Sequence, residues 1–291
     1  MPLQALGFIE LPAHVGDGGF DHAAVHPATG HVYVAHTAND ALDVLDVEKQ
    51  RYVGSIGGLT AVAGALVAEP DTVFTSNRGE NTVGIMRVGQ SGPVEKVAVG
   101  LRPNGLAYDG GRNRLMAAHV GDPGVAGSRT VSIVDVPTRT RVADVPVAGR
   151  TRWTVYDPAA DVFHVNIADP SQIVAVAAGD PPRVARVAAI PEAGPHGLDI
   201  DLERRRLFCA CDAAVLLEVD ADRGKVLARE VIAGVPDVVF FNRQLQRLYV
   251  AIGDPGVIEI FDTSPLRRHE TLATERGAHT LSFDAGRNIV C

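Results

Sequence analysis

The six residues His196-Gly-Leu-Asp-Ile-Asp201 open on a polar side chain, pass through four apolar-biased positions and close on Asp. The phrase recurs along the whole chain. It reads His22-Ala-Ala-Val-His-Pro27, Ala63-Gly-Ala-Leu-Val-Ala68, Asn104-Gly-Leu-Ala-Tyr-Asp109 and Arg152-Trp-Thr-Val-Tyr-Asp157 before residue 196, then Asp237-Val-Val-Phe-Phe-Asn242 and His279-Thr-Leu-Ser-Phe-Asp284 after it. The leading positions are separated by 41 to 48 residues. A period of this length is that of a propeller blade.

Each unit carries further apolar runs of strand length. A second run appears as His31-Val-Tyr-Val-Ala-His36, a third as Thr130-Val-Ser-Ile-Val-Asp135 and a fourth as Arg51-Tyr-Val-Gly-Ser-Ile56. β-Branched enrichment, short length and intervening Gly, Pro, Asn and Asp indicate strand and turn, with no helical period between them. The repeat predicts an all-β, seven-bladed β-propeller with four-stranded blades, a single domain over residues 1–291 whose blade cores begin near 22, 63, 104, 152, 196, 237 and 279. Counting strands leaves one missing from the last blade. Leu3 to Leu11 then reads as the outer strand that closes that blade. The missing strand implies either a chain that continues past Cys291 or a three-stranded final blade, and the first is favoured because a gap at the seam leaves ladder groups unpaired.

Val32-Tyr-Val-Ala-His36 and Arg247-Leu-Tyr-Val-Ala251, each followed by a turn and a strand ending in Asp46 or Asp262, resemble the YVTN-type seven-bladed propeller repeat family. The resemblance covers essentially the entire chain. It implies a fold and leaves function open, because such propellers serve as enzymes, cofactor carriers and passive binding platforms.

Composition narrows the functional classes. The 291 residues are 46% hydrophobic, carry a formal net charge of −8 and contain only three cysteines. An acidic chain is a poor nucleic-acid or anionic-membrane surface, and three cysteines do not make a disulfide scaffold. No apolar run approaches a membrane span and no signal peptide is evident, so a reduced, cytoplasmic protein is expected. There is no Cys-x-x-Cys-His haem attachment motif.

Antiparallel pairing places the start of each first strand beside the end of each second strand, at one mouth of the channel. The first ring reads His22, Ala63, Asn104, Arg152, His196, Asp237 and His279, and the second includes His36, Asn77, His119, Asn166 and Cys211. In a closed ring His196, Asp237, His279 and His22 become neighbours. Three imidazoles and a carboxylate suit a divalent transition metal, Zn, Fe, Mn or Cu, with an open position for substrate. Asn104, Arg152, His36, Asn77, His119 and Asn166 are then the expected substrate-binding wall for an anionic or carbonyl-bearing small molecule. The plainer reading of the same residues is a polar, hydrogen-bonded channel rim.

Two functions follow from these alternatives. One is a metal-dependent small-molecule enzyme, a hydrolase, lyase or oxidoreductase. The other is a non-catalytic propeller whose mouth accepts a small ligand or a protein partner. Arg152 beside Trp153 reads as an arginine that bridges neighbouring loop carbonyls, the favoured reading, or as an anion clamp under an aromatic lid, and the Gly-rich insertion between His119 and Thr130 reads equally as a flap over the mouth or as an idle insertion.

Overall fold

Short β-branched runs punctuated by Asp, Asn and Gly fold into antiparallel ladders joined by tight turns. The computed structural model describes residues 3–90 and 92–291 and contains six four-stranded sheets, each with its strands in sequential order. Blade one runs through Phe20–His26, His31–His36, Ala41–Asp46 and Arg51–Gly57. The first strands of the next five blades are Val62–Ala68, Pro103–Asp109, Thr151–Asp157, Pro195–Asp201 and Pro236–Asn242. These first strands contact one another around the axis, and the fourth strands lie outermost. Aspartates that end first and third strands hold the following turns. Gly111 N–H donates to Asp109 Oδ1 at 2.9 Å, Glu203 N–H to Asp201 Oδ1 at 3.0 Å and Lys49 N–H to Asp46 Oδ1 at 3.0 Å, the local competition with the ladder that makes Asp a turn former.

The core lies between blades. Phe74 packs with Leu106 and Leu115 across blades two and three, Phe163 with Met116 across three and four, and Phe208 with Leu248 and Phe261 across five and six. Outer strands such as Arg183–Ala189 alternate between exposed and half-buried positions, as expected of strands with one wet face. No helix of the described residues is long and apolar enough to cross a membrane.

The ring has six blades, not the seven that the repeat count predicts. The seventh unit supplies only a two-stranded hairpin, Phe283–Asp284 with Ile289–Val290, extended by reciprocal backbone bonds between Ser282 and Cys291. Leu281 and Phe283 pack it against Tyr249 and Ile260 of blade six, while Arg287 reaches Glu48 of blade one at 2.6 Å. Residues Leu3 to Leu11 are not a closing strand either. Gly7 and Gly18 adopt φ of 146° and 107°, outside the extended region, and Pro12 lacks a donor. The segment instead crosses from blade six to blade one as irregular chain. Leu3 N–H donates to Glu270 Oε2 at 3.2 Å, Gln50 Nε2 donates to the Leu6 carbonyl at 3.3 Å, and Ile9 and Leu11 cover Val32, Val34 and Leu45. Apolar burial against blade one takes the place of the strand pairing that was expected in the last blade.

One irregularity recurs in the first strands and positions the mouth. In five blades two residues oppose one across the first ladder: Asp21-His22, Asn104-Gly105, Arg152-Trp153, His196-Gly197 and Asp237-Val238. In blade two Ala63 is the extra residue. A β-bulge interrupts pairing and re-aims side chains, and here it falls on the leading residue of every blade. Glycine is required at three of these points because the next blade's backbone comes close. A Cβ at Gly64 would lie 2.5 Å from the Asn104 carbonyl oxygen, at Gly105 2.6 Å from that of Arg152, and at Gly197 2.6 Å from that of Asp237.

Overpacking of this kind costs about 1–3 kcal/mol. Gly105→Ala is therefore expected to lower the thermal melting temperature by several degrees, measured by circular dichroism. Gly57→Ala, whose Cβ would meet no heavy atom within 4 Å, is expected to leave it essentially unchanged. Equal melting temperatures for the two variants would show that the blades are not held at backbone contact.

Candidate functional site at the channel mouth

His196 is the centre of the mouth. Its bulge turns the imidazole toward Asp212, at the turn after the second strand of its own blade, and toward Asp237 of the next blade. Nδ1 lies 2.7 Å from Asp212 Oδ1 and Nε2 lies 3.1 Å from Asp237 Oδ1. Arg152 of the preceding blade completes the group, with Nη1 3.1 Å from His196 Nε2 and Nη2 3.2 Å from Asp212 Oδ2. Two protonation states use this geometry differently. The imidazolium donates to both carboxylates. The neutral ring keeps Nδ1–H on Asp212 and accepts at Nε2 from Arg152.

Burial opposes protonation of His196, but the hydrogen bonds and charges of Asp212 and Asp237 outweigh it and its pKa is raised. Burial likewise opposes ionisation of Asp237, yet His196, with His22 and His279, holds that carboxyl down at about 2. His22 behaves in the opposite way. Its burial outweighs Asp21 and Asp237, and its pKa is lowered. Its Nε2 lies 3.2 Å from Asp21 Oδ1, and its ring packs on Trp153 from blade four with centroids 4.2 Å apart. His279 is half-exposed, with Nε2 3.8 Å from Asp237 Oδ2 and Nδ1 hydrogen-bonded to the Gly277 carbonyl.

The structure therefore gathers His196, Asp237 and His279 in a row, with His22 near them, but as ion pairs and stacks. Arg152 places a guanidinium nitrogen against the one His196 nitrogen that is not committed to Asp212. Among the described residues no group of three or more His, Cys, Asp or Glu side chains is arranged to hold a metal ion.

The residues expected to form a recognition wall divide in two. Asn104 and Arg152 are at the mouth, and Asn104 Oδ1 accepts a hydrogen bond from Arg78. His36, Asn77, His119 and Asn166 are fully buried and present no surface to it. His36 Nδ1 bonds Asp43 at 2.7 Å and its Nε2 meets His14 Nδ1 at 2.8 Å. Asn77 bridges Thr75 and Thr82. His119 Nδ1 meets Thr130 Oγ1, and burial pushes its pKa down to about 4. Asn166 is a positioning residue, since its Nδ2 donates to the carbonyls of His196 and Gly197 at 2.9 and 3.1 Å and so fixes the bulge. Cys211 is likewise buried, with Sγ 3.9 Å from that of Cys209.

Five mouth residues lie outside the repeat positions singled out in the sequence. Asp21 precedes a leading residue, while Arg78 and Asp212 each follow the end of a second strand, so a window one residue wider at both ends would have found all three. Arg150 and Arg102 enter from the loops ahead of first strands. Arg78 bonds Asp21 at 3.2 Å, and its positive charge, with those of Arg102 and Arg152, is felt at Arg150. A groove of about 430 Å³ beside Arg78 and Arg102 is bordered by Asp122, from the insertion between His119 and Thr130.

No protein family and no curated protein matches the sequence. Among solved structures the chain is similar to a chain of Kuenenia stuttgartiensis hydrazine synthase, with a TM-score of 0.80 and 13% identity, over 96% of this chain and 97% of that one. At that identity the likeness establishes the β-propeller fold and nothing finer.

A raised histidine pKa links the mouth to stability. The contribution of His196 is fully present below its unfolded value of about 6.5 and is lost as pH rises through the higher folded value. The stability difference between wild type and His196→Gln, from urea melts, is expected to shrink as pH rises above about 6.5, and Asp212→Asn is expected to lower the His196 pKa seen by NMR. A difference independent of pH would mean that the two carboxylates do not hold the proton.

Proposed function

We propose that the channel mouth binds a small anionic molecule bearing a carboxylate or phosphate group. The observation that carries this reading is a set of guanidinium groups without full partners. The Arg150 guanidinium makes no hydrogen bond or ion pair among the described residues, and burial and then the like charges of Arg152, Arg78 and Arg102 lower its pKa. The Nε atoms of Arg78 and Arg152 are buried with no hydrogen-bond partner among the described residues. Buried donors of this kind call for acceptors, and a guanidinium fork matches a carboxylate or phosphate edge.

His196 tunes the site under this reading. When the imidazole is protonated it donates to Asp237 and cannot accept from Arg152, which leaves Arg152 Nη1 for the ligand. Affinity then falls as pH rises through the raised His196 pKa. Asn104 and Arg78 form the opposite wall. A non-catalytic binding propeller fits these features better than metal-dependent chemistry on His22, His196, Asp237 and His279, because Arg152 occupies the approach to His196.

Calorimetric titration with sulfate, whose charge does not change over the range used, and with succinate tests the reading. Binding is expected to weaken about tenfold or more in Arg150→Ala and in Arg152→Ala, as for loss of a charge-assisted hydrogen bond, and to weaken with rising pH in wild type but not in His196→Gln. Absence of saturable binding by either anion overturns it. Stoichiometric metal in protein purified without an affinity tag, lost in a His196→Ala/His279→Ala variant, would restore the metal-dependent enzyme in its place.

A further inference from the structure

Beneath the mouth the ring encloses a second compartment. Trp153 packs on His22 and, edge-on at 6.1 Å, against Phe240, drawing together side chains from blades four, one and six across the axis. Below them the channel is a cavity of about 620 Å³ that reaches Glu69 and Gly110, at the opposite ends of the first strands. This volume is in the range of small-molecule sites.

The repeat identifies what faces it. The third residue after each leading position lines the cavity. Six of these are Val25, Leu66, Ala107, Val155, Phe240 and Ser282, and the seventh is Asp199. A carboxylate thus stands at a position that is otherwise apolar or small. Asp199 accepts backbone N–H groups from Ile200 at 2.7 Å and from Phe241 of the next blade at 2.6 Å. Among the described residues no Lys or Arg lines the cavity, and the other titratable lining groups are His22, Glu69, Tyr108 and Tyr156. His22 is driven toward its neutral form by burial. Burial likewise raises the Asp199 pKa to about 6, opposed only by its two backbone hydrogen bonds. At neutral pH the channel therefore holds an ionised carboxylate that no Lys or Arg among its described lining residues neutralises, and a bound cation would complete it.

We propose that the channel binds an organic amine, its ammonium group on Asp199 and its apolar body against the wall that includes Trp153 and Phe240. The two backbone donors leave further carboxylate lone pairs for the ammonium. Aromatic faces suit a cation or the apolar group that carries it. The site is independent of the anion reading at the mouth, and failure of either leaves the other standing.

The chain has one tryptophan, so Trp153 emission reports occupancy of the channel. Phenethylamine is expected to give a saturable change in emission at pH 8, and its neutral isostere phenethyl alcohol to bind about tenfold more weakly or worse. Asp199→Asn is expected to bring the amine down to the affinity of the alcohol, Glu69→Gln to keep the preference, and Ala107→Phe, which fills the channel, to abolish both responses. In wild type the preference is expected to fade as pH falls below about 6, a test that needs no folded variant. Equal affinities for amine and alcohol at pH 8, no saturable response, or an Asp199→Asn variant that keeps the preference would each overturn the proposal.

Discussion

A bulge at the start of every first strand is the constraint on which the mouth depends. Two residues oppose one at Asp21-His22, Asn104-Gly105, Arg152-Trp153, His196-Gly197 and Asp237-Val238. In a regular strand neighbouring side chains would point to opposite faces. The bulge relaxes that alternation, which is how Asp21 can pair with His22 beside it and how Arg152 reaches His196 while Trp153 packs across the axis. The same feature brings backbones of adjacent blades into contact at Gly64, Gly105 and Gly197. Blade spacing and the aim of the polar side chains are therefore set by one local device.

Charge is sorted along the axis by that arrangement. The chain as a whole carries −8, yet Arg78, Arg102, Arg150 and Arg152 are near neighbours at one mouth, partly neutralised by Asp21 and Asp212. Beneath the His22–Trp153 stack the sign reverses, because Asp199 faces a channel whose described lining residues include no Lys or Arg. Screening by water and salt is weakest in enclosed sites, so these local fields decide what approaches each compartment more than net charge does.

Much of this was legible in the repeat. Its phase marked His22, Asn104, Arg152, His196 and Asp237 as mouth residues, and every one of them falls in a bulge. It said less about partners. Asp212, Arg78 and Asp21 lie one residue outside the chosen window, and Asp199 belongs to a phase whose other members are apolar or small. The second-strand residues illustrate a different limit. His36, Asn77, His119 and Asn166 lie at or beside the ends of their strands, but their side chains turn inward to bond Asp43 and His14, Thr75 and Thr82, Thr130, and the His196 and Gly197 carbonyls, because buried polar groups take most of the hydrogen bonds that the packing offers. The metal arc was read from adjacency around a ring. Adjacency does not specify that a guanidinium will stand against the His196 imidazole.

The sequence by itself determined the four-stranded blade, the turn aspartates and the identity of the leading residues, because these follow from short-range alternation and a fixed period that each unit carries within itself. Only the tertiary structure decided how many blades are built and what the polar residues do. Blade number depends on which segments complete a ladder, and here Gly7, Pro12 and Gly18 turn residues 3–18 out of strand geometry, while a short hairpin and the side chains of Leu3, Ile9 and Leu11 pack against blades six and one. The role of His196 depends on carboxylates and an arginine drawn from other strands and other blades. Those distances are set by packing around the axis, which no single repeat encodes.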